Sequence, residues 1–289
     1  MSYKVIASFV SFNPNISKLK KAIDSVYSQV DQIVIVDNGS ENILEILNAF
    51  DKYQNISIIR NSQNIGIATA LNQAVDFSAK KCDWLLTMDQ DSEAPVDIIE
   101  QYERVIQKEE KIGILTLQIK KNIDSIVEKK NTLTEVQRCI TSGSLMNLSA
   151  LEDIGEFDDS MFIDWVDHDI CKRMKLAGYR IIRVDSLILK HELGPQIPIP
   201  ITQKLNNILG TKVLRRPHSP LRTYYYIRNG IYYIRKFKKS MTKEEVKFAK
   251  YEIAMSIRRG LLLGKNKFEY ISSICRGIYD GNKMKVCKG

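Results

Sequence analysis

The sequence predicts an α/β fold, a Rossmann-like and mostly parallel sheet with helices on both faces, followed by a helical C-terminal region. Three observations predict it. Apolar runs of strand length alternate with amphipathic segments of helix length from Tyr3 to Asp91. Polar clusters close the first, second and fourth of those runs, at Asn13, Asp37-Asn38 and Asp89–Asp91, so they share the carboxyl edge of one sheet. From Pro220 onward the periodicity is helical throughout.

In chain order, Tyr3–Phe12 reads as a strand ending at Asn13-Pro14, which favours a turn. Ser17–Gln29 follows as a helix that Ser17 can cap, with Leu19, Ala22, Ile23 and Val26 at helical spacing. Ile33–Val36 is a short apolar strand, Asn42–Tyr53 a helix and Ile56–Arg60 a third strand. Asn61–Gly66 is a polar turn before a helix from Ile67 to Lys80, whose small residues Ala68 and Ala70 allow close packing. Trp84–Met88 is the fourth strand. Asp97–Glu110 is helical, Ile112–Ile119 a strand and Lys120–Glu135 a surface loop or hairpin. Cys139–Asn147 is strand-like, with Gly143 marking a close backbone approach. Ser149–Ile154 and Val166–Ala177 are helices; Tyr179–Val184 and Leu187–His191 are strands. Residues 195–220 are a proline-rich connection, and the helices Leu221–Phe237, Lys243–Leu263 and Phe268–Asp280 close the chain.

Composition bounds the function. The 289 residues suffice for one large domain, or a domain with an appendage. Five widely spaced cysteines form no C-x-x-C pair, which argues against a disulfide framework or a zinc cluster and for a reducing compartment. The N-terminal apolar run is broken by Ser8 and Ser11 and stops at Pro14, so a first strand is expected there, not a secretion signal. No run reaches the ~18 apolar residues of a membrane span, and a cytosolic or membrane-peripheral protein is expected. Residues 212–289 hold 20 Lys/Arg against 5 Asp/Glu, whereas residues 1–211 hold 23 against 29. A basic tail on an acidic body calls for an anionic partner, lipid or nucleic acid.

Two acidic clusters are candidates for chemistry. Asp89 and Asp91 are hard oxygen donors at a strand's carboxyl end, suited to a divalent cation shared with phosphate; the bland alternative is a solvated turn. The run FIDWVDHDICKRM carries Asp164, Asp167 and Asp169 near a helix N-terminus, where the macrodipole favours negative charge. Capping accounts for one of them. With Phe162 and Trp165 as apolar neighbours, a carboxylate there can have a raised pKa and act as a general base. His191 ends a strand; imidazole with carboxylates suits Mn²⁺, and Mg²⁺ less naturally.

The segments IASFVSFNP, IVIVDNGS, NIGIATALN, TMDQDS, FIDWVDHDICKRMKLAGYRI and LKHELG occur in order with natural spacing. Together they resemble the family-2 inverting glycosyltransferases, specifically the bacterial rhamnosyltransferase-like subgroup, and His218–Phe237 resembles that subgroup's C-terminal signature. The resemblance implies a GT-A fold over residues 1–215, with a nucleotide-sugar half (1–92) and an acceptor half (93–215), then a basic helical region over 216–289. It implies that Asp37 binds the nucleotide base or ribose, with backbone near Ser11 and Asn13. Asp89 would lie near the ribose and the metal, and Asp91 and His191 would hold the metal, Mg²⁺ or Mn²⁺. Asp167 would be the catalytic base, preceded by Val166 where much of the family has Glu. Asp169 is the alternative base or a group orienting the acceptor or Arg173, and Trp165 and Arg173 are acceptor-binding or supporting residues.

The implied reaction is a single displacement at the anomeric carbon, with Asp167 taking the acceptor's proton and no enzyme nucleophile. dTDP-L-rhamnose is the favoured donor and a lipid-linked glycan the acceptor, at the inner face of the cytoplasmic membrane; a UDP-hexose is the alternative donor. The tyrosines of residues 224–233, interleaved with Arg222, Arg228 and Arg235, could meet an anionic bilayer or pack a helical cap. A sugar nucleotidyltransferase would need a glycine-rich basic loop, and Val10–Ser17 has none. Nucleic-acid binding by the tail is the non-enzymatic alternative and is not expected.

Overall fold

The computed structural model describes residues 3–120, 130–191 and 217–286. The chain divides into two compact units, Met1–Phe162 with Val166–Glu192, and Ile163–Trp165 with Leu193–Gly289.

The first unit is built on a nine-stranded sheet. Its parallel half contains β1 (Val5–Ser11), β2 (Gln32–Asp37), β3 (Ile56–Arg60) and β4 (Trp84–Asp89), in the order β3-β2-β1-β4. Helices α1 (Ile16–Tyr27), α2 (Ile43–Phe50) and α3 (Ile67–Ser78) connect them. Ile33, Val34, Ile35 and Val36 are all fully buried, as expected of a strand covered on both faces. Each such side chain contributes about 1.5–3 kcal/mol of burial. Asn15, and not Ser17, caps α1: its Oδ1 accepts from Lys18 N at 3.1 Å, while Ser17 Oγ donates to the same oxygen at 2.7 Å.

The mixed half contains β5 (Ser92–Glu93), β6 (Ile112–Lys120), β7 (Leu133–Glu135), β8 (Ser144–Asn147) and β9 (Arg180–His191), and continues the sheet as β4-β8-β6-β9-β5 with β7 on β9. Helix α4 (Ile98–Ile106) carries Tyr102, fully buried with its hydroxyl donated to the Gly143 carbonyl at 2.7 Å. Helices α5 (Leu148–Ile154) and α6 (Val166–Leu176) precede β9.

One reading changes. The two strands expected over 179–191 are one, β9, with a register shift between Leu117 and Gln118 opposite the break. Asp185 sits in that break, its carboxylate accepting from Thr132 and Thr134 hydroxyls and from Arg183 Nε at 2.6 Å. Within the loop or hairpin expected over 120–135, Leu133–Glu135 is strand β7; residues 121–129 lie outside the described residues. Most of the proline-rich connection, residues 192–216, also lies outside them.

The second unit contains α7 (Pro220–Lys236), α8 (Lys243–Leu263) and α9 (Lys267–Lys283). Ser219 caps α7 ahead of Pro220, and Thr242 with Glu245 forms a capping box on α8. The tyrosines of α7 hold this unit together. Tyr232 and Tyr233 are buried, Tyr224 OH donates to Asp280 at 2.7 Å, and Tyr226 OH donates to Glu252 at 3.0 Å. These contacts are those of a helical cap, while Tyr224, Tyr225 and Tyr226 stay half-buried. Among the described residues no helix is long and apolar enough to cross a membrane.

Candidate active site

Strand register assembles the first half of the site. Ser11 is opposite Asp37, and Val10 is opposite Asp89, so three polar side chains end neighbouring strands at one edge. Ser11 and Asp37 are 0% and 1% exposed. Asp37 Oδ2 accepts from Ser40 N at 3.2 Å, but its Oδ1 and the Ser11 hydroxyl are buried without a hydrogen-bond partner. Buried polar atoms carry a desolvation cost unless paired, and these two suit a ligand's N–H or O–H groups. Asn13 has a positive φ of 46° and is used structurally: its N–H meets Ser40 Oγ at 2.9 Å and its Oδ1 accepts from Glu41 N at 2.8 Å.

The adjacent loop is held by amides. Asn38, 3% exposed, donates to Asn64 Oδ1 at 3.0 Å and accepts from Ile65 N at 3.0 Å. Gly66 follows at φ 91°, and a Cβ there would stand 2.7 Å from the Phe162 carbonyl oxygen. The neighbouring N–H of Ile67 donates to that same carbonyl at 2.7 Å. Thus the chain leading to α6 is anchored at the start of α3, on the carboxyl edge.

Asp89 and Asp91 flank the turn from β4 into β5. The Asp89 N–H donates to Ser142 Oγ at 3.0 Å, and Gln90 exchanges hydrogen bonds with the backbone of Phe12. β5 pairs with the end of β9, Ser92 opposite His191, so the backbone brings His191 next to the residue that follows Asp91. Two carboxylates here, beside orphaned polar atoms on the neighbouring strands, fit a hard divalent ion that shares phosphate oxygens. Among the described residues no group of three His, Cys, Asp or Glu converges, and the His191 side chain lies outside them.

Asp167 lies in the first turn of α6, its side chain 26% exposed. Its Oδ1 accepts from the His168 backbone N–H at 2.9 Å and meets His168 Nδ1 at 2.9 Å. Burial pushes this carboxyl up, but the His168 charge and hydrogen bonds outweigh it, and the carboxyl lies below its ordinary value. The expected raised pKa is corrected: the carboxyl is held down and Asp167 is a carboxylate at neutral pH. One turn on, Cys171 Sγ lies 3.5 Å from Cys139 Sγ, both thiols free. Cys139 leads into Ser142, which binds Asp89, so α6 and the β4 edge are linked.

Asp169 and Arg173 form a latch. Asp169 is fully buried and accepts from Arg173 Nε at 2.7 Å; the same guanidinium donates to the carbonyls of Ile154, Gly155 and Glu156 after α5. The Arg173 guanidinium is thus occupied by Asp169 and by these carbonyls. Trp165 is held by packing and one hydrogen bond. It belongs to the second unit, is 3% exposed, and donates its indole N–H to the Tyr226 carbonyl at 2.9 Å. Asp164 and Trp165 both have positive φ, 64° and 67°. Asn229 Nδ2 holds them through the carbonyls of Ile163 and Asp164, at 2.7 and 3.2 Å, and Arg222 pairs with the Asp164 carboxylate at 2.8 Å.

Sequence reasoning missed Ser40, Ser142 and His168. His168 adjoins Asp167 in sequence, which was the available signal; Ser40 and Ser142 act through backbone contacts that only the fold creates. A hollow of about 410 Å³ beside Tyr3, Asp31 and Glu103 lies at the amino-terminal ends of β1 and β2, away from this edge.

The profile of Glycosyl transferase family 2 matches residues 9–176, more than half of the chain. The chain belongs to glycosyl transferase family 2. Along its full length this family-2 glycosyltransferase is similar to the dTDP-rhamnosyl transferase RfbF of Shigella flexneri, 26% identical over 97% of this chain and 96% of that protein. The fold is also that of solved structures. GalNAc-T7 with UDP, GalNAc and Mn²⁺ superposes with a TM-score of 0.58 at 14% identity, over 89% of this chain but only 56% of its own. S. aureus TarS 1–349 in complex with UDP-GlcNAc superposes with a TM-score of 0.57 at 15% identity, over 93% of this chain and 79% of its own. The sheet is therefore a GT-A-like one, and the enzyme is rhamnosyltransferase-like.

Proposed function

We propose that this glycosyltransferase moves L-rhamnose from dTDP-L-rhamnose onto a lipid-linked glycan acceptor, with inversion, at the inner face of the cytoplasmic membrane during cell-surface glycan synthesis. The donor assignment is carried by the full-length similarity to a dTDP-rhamnosyl transferase. Residues 1–215 are taken as the catalytic domain and 216–289 as the basic region that faces the membrane.

Asp37 and Ser11 receive the nucleotide, their orphaned oxygens pairing with its polar groups. Asp89 and Asp91, with His191, would hold Mg²⁺ or Mn²⁺. A divalent ion bound there supplies charge neutralisation for the diphosphate leaving group. Asp167 removes the acceptor hydroxyl's proton as that oxygen attacks the anomeric carbon from the face opposite the leaving group. His168 keeps Asp167 ionised and orients Oδ1. Asp169 and Arg173 position α6 and do not exchange protons.

A donor screen tests the reading. Nucleoside diphosphate release is followed with dTDP-L-rhamnose and with UDP-hexoses, metal present. Preference for dTDP-L-rhamnose is expected; turnover of a UDP-hexose alone replaces the donor while keeping the family.

A further inference from the structure

The last helix carries two apolar stripes, and only one is covered. Along α9 the buried positions are Tyr270, Ile274, Gly277 and Gly281. The glycines let α9 lie against α7: a Cβ on Gly277 would stand 2.8 Å from the Tyr224 carbonyl oxygen, and one on Gly281 2.7 Å from that of Arg228. Packing explains this stripe completely.

The second stripe is exposed, and within it Tyr279 meets Lys283, which donates to its hydroxyl and lies 4.2 Å from its ring centroid. Phe268 is 81% exposed, Ile271 49%, Ile278 40% and Tyr279 58%. Their spacing keeps them in one band of a helix with 3.6 residues per turn. Cys275 is exposed between them, and Leu261 and Leu262 extend the apolar surface at the end of α8. Single exposed apolar residues are ordinary, but a contiguous band marks an interaction surface. On a helical wheel, Lys267 borders the band on one side and Arg276 and Lys283 on the other.

We propose that this stripe of α9 docks the protein on an anionic lipid bilayer, with Phe268 and Ile271 entering the acyl boundary and the bordering cations meeting headgroup phosphates. The proposal rests on, and localises, the membrane partner inferred above. Charge complementarity selects this occupant. Amphipathic helices with a basic border bind anionic surfaces, and each nearby Lys or Arg adds attraction. Residues 212–289, with 20 Lys/Arg against 5 Asp/Glu, supply that field. A second copy is disfavoured. A two-fold pair sets one basic-bordered stripe on another, gathering the Lys267, Arg276 and Lys283 charges of both copies at a single interface.

Flotation of the full-length protein with phosphatidylcholine vesicles, with and without phosphatidylglycerol, tests this. Wild type is compared with Phe268→Ser/Ile271→Ser, alongside sedimentation velocity and dTDP-L-rhamnose turnover in solution. Wild type is expected to float with the anionic vesicles only, and the variant to lose roughly tenfold or more of that partition at unchanged sedimentation and turnover. Equal flotation of both proteins overturns the proposal. So does a wild-type dimer that the variant dissociates without any vesicle binding. Absent turnover in both proteins, with flotation lost only in the variant, refutes dTDP-L-rhamnose as the donor and supports the docking face.

Discussion

His168 binds Asp167 twice through one oxygen, by its backbone N–H and by Nδ1, both at 2.9 Å. The pair sits at the start of α6, where the helix dipole also favours negative charge. A base whose carboxyl lies below its ordinary value is ionised throughout the neutral range.

Replacing the imidazole should therefore move the acid limb of the rate profile. Burial raises the Asp167 carboxyl and His168 lowers it. In His168→Ala burial acts with less opposition, so the pH at which kcat/KM falls on acidification should rise. The sign for stability agrees: a depressed carboxyl stabilises the fold above its unfolded value and loses that contribution as pH falls through the folded one. A pH–rate profile checks this, and an unmoved acid limb would show that His168 does not tune the base.

The unpartnered Asp37 Oδ1 should find its partner in the nucleotide. Asp37→Ala is expected to weaken dTDP binding by about 1.5–3 kcal/mol, with the folded state little affected because one buried unpaired oxygen is also removed. Calorimetric titration of dTDP measures it; unchanged affinity would place the nucleotide elsewhere.

Arg173 should matter to stability more than to chemistry. Arg173→Met leaves the fully buried Asp169 carboxylate without its cation, at a cost of about 3–5 kcal/mol. Denaturant unfolding monitors the loss. A variant as stable as wild type would contradict the latch.

Asn229, fully buried, is the donor for the carbonyls of Ile163 and Asp164. Asn229→Ala should cost about 1–3 kcal/mol in the second unit, read from its thermal unfolding. An unaltered unfolding profile would remove Asn229 from that role.

The parallel half was legible because β1 to β4 are short apolar runs ended by polar residues, and burial on both faces imposes that pattern. Asp37 and Asp89 followed from strand ends alone, whereas Ser11 came only with the family resemblance. β5 was not legible: two residues carry no period, and only pairing with His191 makes them a strand. β9 read as two strands because Asp185 interrupts the apolar run, and its cost is met by two threonines brought from elsewhere and by Arg183 on the same strand. The surroundings of the α7 tyrosines and of Trp165 stayed open in the sequence for a shared reason. An amphipathic ring looks alike in sequence at a membrane and in a helix interface, and only the fold supplies the partners Asp280, Glu252 and the Tyr226 carbonyl. The sign of the Asp167 shift needed the side-chain geometry of His168.

The most direct test is Asp167→Asn, measured as sugar transfer and as dTDP affinity in the same preparation. Loss of a general base is expected to lower transfer on the order of 10²–10⁴-fold, with dTDP binding unchanged. Transfer that persists, or transfer and binding lost together, would contradict Asp167 as the base.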